Sequence, residues 1–197
     1  MENKNKWVSS VPACNMVIAI LIFAQVPMMF GIASSDAVIY ALPWLLAAYP
    51  VILITVIIMF KNGDFVDATM NSILSGVLMG QNFVRGIISL TLLATGKEPS
   101  SELLMSSAAI DMWVYLVAGI ILLCAGWLAH FKSKMAAIGV WSGAIGFLAL
   151  SAMYAGISPI CGLIGGIGLV ILGVYLLYSG LAMLTNMTLQ KEVLPIR

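Results

Sequence analysis

Six apolar runs separated by short polar segments make up nearly the whole chain. Each run is long enough to cross about 30 Å of hydrocarbon, which takes roughly 20 helical residues. The predicted spans are residues 14–33, 37–60, 68–95, 110–130, 135–156 and 157–184, and residues 185–197 form a polar tail. The pattern therefore predicts an all-α, polytopic membrane protein with a single six-span transmembrane domain over residues 1–197.

The composition strengthens this prediction and removes several other classes of protein. The chain is 62% hydrophobic and 9% charged, with a mean hydropathy of +1.09, which lies outside the balance of soluble domains. We expect a multi-pass protein of the cytoplasmic (inner or plasma) membrane, with the lipid bilayer as its partner. The formal net charge of +1 comes without a basic cluster, so nucleic acid is not an expected partner.

Lysines and arginines outside the spans predict the orientation. With the N-terminus inside, Lys97 is the one basic residue on the outer side. The inner side then holds Lys4, Lys6, Lys61, Lys132, Lys134, Lys191 and Arg197. Because positive residues are retained on the cytoplasmic side, both termini are predicted to lie in the cytoplasm.

The third span carries a polar stripe with a full charge far from either end. Its members recur at steps of three and four when Leu78 fills one gap, and this spacing is typical of one helix face. They are Asn71, Ser75, Asn82, Arg85 and Ser89, with Gln81 flanking them. A charged residue inside a span is costly and often marks a route for a solute. We therefore interpret Asn71, Ser75, Gln81, Asn82 and Arg85 as candidates for a substrate path.

A packing role for Arg85 is the alternative. The guanidinium would then bond backbone carbonyls freed by a proline kink, or pair with Asp111 or another carboxylate toward the outer side. Asp36, Glu98, Glu102 and Asp111 all lie on the predicted outer side. An anion arriving there would meet negative charge first, which favours solutes that are at least partly neutral.

Pairs of glycines four residues apart predict where helices approach closely. They are Gly76 and Gly80, Gly139 and Gly143, and Gly162 and Gly166. Such strips can serve within one protomer or between protomers, and the sequence leaves both open.

Residue types needed for catalysis or metal binding do not form a pattern. Cys14, Cys124 and Cys161 lack the spacing of a metal site. No nucleophile with a nearby base and no carboxylate pair is visible in the sequence. We therefore expect no enzymatic activity, no metal and no cofactor.

The last quarter of the chain carries a family resemblance. The glycine-rich run Gly162–Gly173, then Tyr175, and the tail residues Val193–Ile196 resemble the acetate uptake transporter family of bacterial and fungal permeases. The six-span layout is similar as well. The resemblance implies a hexameric ring with one pore per protomer, through which small monocarboxylates pass, with succinate in some members.

The start of the first span departs from that family. The family's Asn-Pro-Ala-Pro-Leu-Gly-Leu stands here as Val11–Val17, which keeps Pro12 and Ala13. The family's apolar constriction, which includes aromatic side chains, falls near Ile20 and Leu74 in this sequence. Arg85 is not part of the family pattern.

Three functions follow from these observations. The first is a transporter or channel for small monocarboxylates such as acetate, and also succinate, taken as the carboxylate or the carboxylic acid with its proton. The second is a pore for neutral solutes such as urea, short-chain amides or ammonia, suggested by the amide-rich stripe. The third is a non-transporting membrane subunit that acts through helix association.

Overall fold

The computed structural model describes residues 7–34, 37–97 and 100–196, apart from the side chains of Gln81 and of residues 101–104. This part of the chain folds into six α-helices and no strand. They are α1 (Val11–Met29), α2 (Val38–Asn62), α3 (Phe65–Thr95), α4 (Ser101–His130), α5 (Lys134–Tyr154) and α6 (Ile160–Leu189). Each is long and apolar enough to span a membrane. The predicted multi-pass, all-α architecture is confirmed.

Neighbours in sequence are neighbours in space. Each helix packs on the next, and α6 returns to pack on α1, so the bundle closes in sequence order. A further contact joins α1 to α3 across the bundle. Short connections favour such antiparallel packing of consecutive helices. As a result α1, which touches α2, α3 and α6, lies at the centre of one half of the bundle.

Several helices differ in length from the predicted spans. Helix α1 ends at Met29, before the predicted limit at Ala33, and the N–H groups of Ile32 and Ala33 donate to the Pro27 carbonyl at 2.8 and 3.0 Å. Helix α4 begins at Ser101, well before the predicted start at residue 110. Its extra residues lie in the segment that polarity had assigned to a loop.

The chain reversals use residues suited to them. Helices α2 and α3 are followed directly by Gly63 and Gly96, with φ of 83° and 62°, a left-handed conformation that glycine adopts without steric cost. At the start of α5, the Ser133 side chain accepts a hydrogen bond from the Ala136 N–H at 3.2 Å. This bond satisfies one of the donors that a helix start leaves open.

The glycine strips of α5 and α6 serve packing within the chain. A Cβ at Gly143 of α5 would lie 2.6 Å from Leu172 Cδ2 of α6, and a Cβ at Gly162 of α6 would lie 2.6 Å from Met153 Sδ of α5, so each glycine makes room for a side chain of the facing helix. By contrast, a Cβ at Gly76 or Gly80 of α3 would meet nothing within 4 Å. The glycine strips therefore differ in role: α5 and α6 pack through their glycines within the chain, whereas the α3 strip faces outward.

Parts of the sequence predictions fall outside the described residues. Asp36, Glu98 and the side chain of Glu102 belong to this set. Of the four carboxylates on the predicted outer side, Asp111 is therefore the one whose side chain the structure describes. Lys4, Lys6 and Arg197, which contribute to the predicted orientation, lie outside the description as well.

Candidate functional site: two polar clusters on α3

The polar stripe of α3 takes part in two separate clusters. Asn71 joins Asn15 of α1 and Ser179 of α6, and we call these three residues the amide cluster. Arg85 joins Asp111 of α4 and Tyr154 of α5, and we call these three the arginine cluster. At 1.5 Å rise per residue, the α3 members of the two clusters are separated by ~21 Å along the helix.

The amide cluster is buried and its hydrogen bonds run in one direction. Ser179 donates to the Leu176 carbonyl at 3.1 Å and accepts from Asn15 Nδ2 at 3.1 Å. Asn15 Oδ1 in turn accepts from Asn71 Nδ2 at 3.3 Å. Exposure is 5% for Asn15, 1% for Asn71 and 0% for Ser179. Because the serine hydroxyl is committed to its own helix, the orientation of both amides follows from it.

Because Asn71 donates the first hydrogen bond of this series, its own side-chain oxygen is left without a donor. Asn71 Oδ1 is buried without a hydrogen-bond partner, and so is Gln25 Nε2 on α1; these are the two such side-chain atoms among the described residues. A buried polar atom without a partner costs roughly 1–3 kcal/mol. Asn71 Oδ1 can accept a hydrogen bond from a small molecule and Gln25 Nε2 can donate one, since polar groups of this kind replace part of a solute's hydration shell.

The arginine cluster contains a charge pair. Arg85 Nη2 donates to Asp111 Oδ2, and Arg85 Nη1 donates to the Tyr154 hydroxyl at 3.1 Å. The guanidinium carbon also lies 5.4 Å from the centre of the Tyr154 ring, within the range of a cation–π contact. The pairing of Arg85 with Asp111, raised above as the alternative to a pore-lining role, is therefore observed.

The partners of Arg85 belong to the packed helices α4 and α5, which we call the wall. The rings of Tyr154 and Tyr115 stack in parallel at 5.7 Å, and Tyr115 packs on Phe147 at 5.4 Å. The Ser151 hydroxyl donates to the Met112 carbonyl at 2.8 Å, which ties α5 to α4. Helix α3 packs mainly on α2 and shares a smaller contact with α4, so Arg85 is a bridge from α3 to this wall.

The remaining stripe residues bond within α3. Ser75 Oγ donates to the Ser72 carbonyl at 2.9 Å, and Asn82 Nδ2 donates to the Leu78 carbonyl at 2.7 Å. Both side chains are half-buried, as is Ser89, and the side chain of Gln81 lies outside the described residues. The structure does not bring Ser75 or Asn82 into either cluster.

The two positions matched to the family's constriction lie in different environments. Leu74 is buried in the core at 2% exposed, whereas Ile20 is 54% exposed on the outside of the chain. Ile18, two residues earlier, is fully buried. Residues two apart on a helix point about 200° away from each other, so Ile20 cannot share the interior with Leu74.

Sequence reasoning missed Asn15, Ser179 and Tyr154. A signal was present, since an asparagine inside an apolar span is expensive unless it finds a partner. Its partner, however, lies on a helix 164 residues away in sequence. Among the described residues no group of histidine, cysteine or carboxylate side chains could hold a metal ion.

The fold resembles that of a solved membrane channel. No protein-family model matches the sequence. No curated protein matches it either. A solved structure titled as the bacterial acetate channel SatP superposes with a TM-score of 0.71, covering 98% of this chain and 100% of that chain at 17% sequence identity. The chain therefore has the fold of that channel.

Proposed function

We propose that the protein is a membrane channel or transporter that carries small monocarboxylates such as acetate, and also succinate. The observation that carries the proposal is the fold shared with an acetate channel over nearly the whole length of both chains. The positive charge of Arg85 inside the bundle adds a group that attracts carboxylates. A solute would pass as the carboxylate or as the acid with its proton, and no enzymatic step is part of the proposal.

We place the route along the polar face of α3. Asn71, Ser75, Gln81, Asn82 and Arg85 are the proposed lining residues, in order from the cytoplasmic side if both termini are cytoplasmic. Asn71 and Arg85 support this placement, because each meets polar side chains from other helices there. Amide and hydroxyl groups at intervals would replace the solute's hydration shell step by step.

The apolar constriction is proposed at Leu74 and Ile18, in place of Ile20. Helices α1 and α3 run in the same direction, and Asn15 bonds Asn71 across their contact. One helical turn further along both helices, the same register would bring Ile18 beside Leu74. Both side chains are buried, at 0% and 2% exposed, as a constriction requires.

The experiment is flux into liposomes that contain the purified protein, with acetate, formate, succinate, urea and acetamide as solutes. Protein-free liposomes measured at pH 8 are the control, because carboxyl groups with pKa values near 4 are then almost fully ionised and leak little. Acetate uptake that saturates, and that formate reduces, supports the proposal. Uptake equal to that of protein-free liposomes rejects it.

A pore for neutral solutes is the second candidate. It is favoured by the neutral amides of Asn15 and Asn71, and by the pairing of Arg85 with Asp111, which offsets the positive charge. In the same assay, urea or acetamide would then enter rapidly, and acetate would neither enter nor compete.

We also propose a homo-oligomer, a hexamer with one route in each protomer, inserted in the cytoplasmic membrane. The outward strip at Gly76 and Gly80 supports a close contact with a second copy, since small residues let helix backbones approach. Replacing Gly80 with Leu should lower the mass of the assembly, measured by light scattering in detergent. Ala47→Leu, which also introduces a leucine at an exposed position but on α2, should leave it unchanged.

A companion-dependent subunit without transport activity would behave differently. It would purify with a second protein and give no flux alone. A homo-oligomer that conducts without a companion would exclude it.

A further inference from the structure

The arginine cluster contains a ready-made binding arrangement for a carboxylate. A guanidinium presents five N–H donors in a planar fork that matches a carboxylate. In this chain, Asp111 supplies a carboxylate oxygen to Arg85 Nη2, and the Tyr154 hydroxyl accepts from Nη1. Asp111 therefore makes with Arg85 the same kind of contact that the carboxylate of a small solute would make.

The two members of the pair differ in access. The Arg85 side chain is 36% exposed and the Asp111 side chain is 10% exposed. The Arg85 side chain is thus partly accessible while its internal partner is almost covered. Arg85 is therefore the member of the pair that a solute can approach more easily.

The helices that carry Asp111 and Tyr154 are held together by contacts that do not involve Arg85. Tyr154 is stacked on Tyr115, and α5 is tied to α4 through Ser151. Arg85 reaches this wall from α3, whose contact with α4 is the smaller one. Exchange of partners at Arg85 therefore requires movement of one long side chain and leaves the wall intact.

No other cation competes for this role among the described residues. Their second ion pair joins Lys132 to Asp67 at 2.9 Å, with the two side chains 51% and 25% exposed. It lies at the other end of α3, beside its first turn. Among the lysines and arginines of the described residues, Arg85 is therefore the one that a solute would meet within the membrane.

We propose that Arg85 binds the carboxylate group of the transported solute, and that Asp111 is the internal carboxylate that competes with the solute for it. This inference rests on the proposed function and names the binding group of that route. The solute class is a small monocarboxylate anion. Asp111 keeps the guanidinium from remaining an unpaired charge when no solute is bound, and it limits the affinity for the solute.

Two substitutions should have opposite effects on acetate. Asp111→Asn keeps an oxygen that accepts from Arg85 but removes the negative charge, so the internal competitor weakens and acetate half-saturates flux at a concentration ~10-fold lower. Arg85→Lys keeps the charge and the pair but loses the planar fork, so half-saturation shifts to higher concentration. Asp67→Asn, the same change in the exposed ion pair, is the matched control and should leave half-saturation unchanged.

A binding measurement separates this inference from the proposed function. Acetate should raise the melting temperature of the purified Asp111→Asn variant more than that of the original protein, whereas acetamide should not, because a ligand stabilises the state that binds it. This result supports the site even if no flux is seen in liposomes. The inference is overturned if Asp111→Asn and Arg85→Lys shift the acetate response in the same direction, or if neither differs from Asp67→Asn while acetate flux is intact.

Discussion

The amide cluster and the arginine cluster occupy one face of α3, yet their polar groups are stabilised inside the bundle in different ways. The amide cluster is neutral and fully buried. Its hydrogen bonds run in a line that begins at Asn71, whose Oδ1 has no partner. The arginine cluster is charged and partly open, with Arg85 36% exposed. Neutral amides can be sealed at modest cost, whereas a guanidinium needs a counter-charge.

This difference assigns separate tasks within the proposed route. The open, charged cluster can meet and orient a carboxylate. The sealed, neutral cluster offers one hydrogen-bond acceptor and no charge, so it can pass a solute without holding it. Substitutions in each cluster should therefore differ in both the size and the kind of their effects.

Removal of the counter-charge should have the largest effect on stability. Asp111→Ala leaves Arg85 without its carboxylate inside the bundle, and we expect a loss of about 3 kcal/mol in the free energy of unfolding. Thermal unfolding of the purified protein in detergent measures the change. The double variant Arg85→Met, Asp111→Leu should recover most of it, and a double variant as unstable as Asp111→Ala would contradict a role for charge.

Breaking the amide cluster at its centre should cost less. Asn15→Leu removes the oxygen that accepts from Asn71 Nδ2 and leaves this buried amide only the weak acceptor Met59 Sδ at 3.8 Å, for an expected loss of about 2 kcal/mol. The double variant Asn15→Leu, Asn71→Leu removes the buried amide as well. It should be more stable than Asn15→Leu alone; equal or lower stability would show that the amides do not act as a bonded pair.

The end of the amide cluster should matter still less. Ser179→Ala removes one hydrogen bond between the helices of the cluster, whereas Asn15→Leu removes two, and hydrogen bonds between membrane helices average about 0.6 kcal/mol. We expect a loss of this size in the same unfolding assay. A loss as large as that of Asn15→Leu would indicate that Ser179 carries the packing of α6 on α1.

The exposed ion pair sets the lower limit of the series. Lys132→Ala removes a partner of Asp67 at a site where Lys132 is 51% exposed, and exposed pairs contribute less than about 1 kcal/mol. We expect a change below about 0.5 kcal/mol. A change comparable with that of Asp111→Ala would remove burial as the cause of the difference between the two ion pairs.

The sequence predicts the six membrane-capable helices well and the contacts between them poorly. Run length and apolarity suffice for six helices, because the hydrocarbon thickness sets the length of a span. The stripe on α3 is visible because polar residues stand out against an apolar helix. Its division into two clusters depends on Asn15, Ser179 and Tyr154, which come from three other helices and share no local pattern with Asn71 or Arg85.

The first helix illustrates the limit most clearly. Its residues are apolar almost all round, so periodicity does not tell which face is buried. Ile18 and Ile20 are chemically identical, and only tertiary packing places the first inside at 0% exposed and the second outside at 54%. A shift of two residues along this helix therefore moves a side chain from the interior to the surface.

The most direct test of the two-cluster account is uptake of labelled acetate at pH 8 by liposomes containing the original protein, Arg85→Gln or Asn71→Leu. Size-exclusion chromatography would first establish that all three assemble alike. The account predicts that Arg85→Gln lowers uptake ~10-fold or more, since charge-assisted hydrogen bonds are the strong ones, and that Asn71→Leu lowers it less. Uptake by Arg85→Gln equal to that of the original protein would contradict the account.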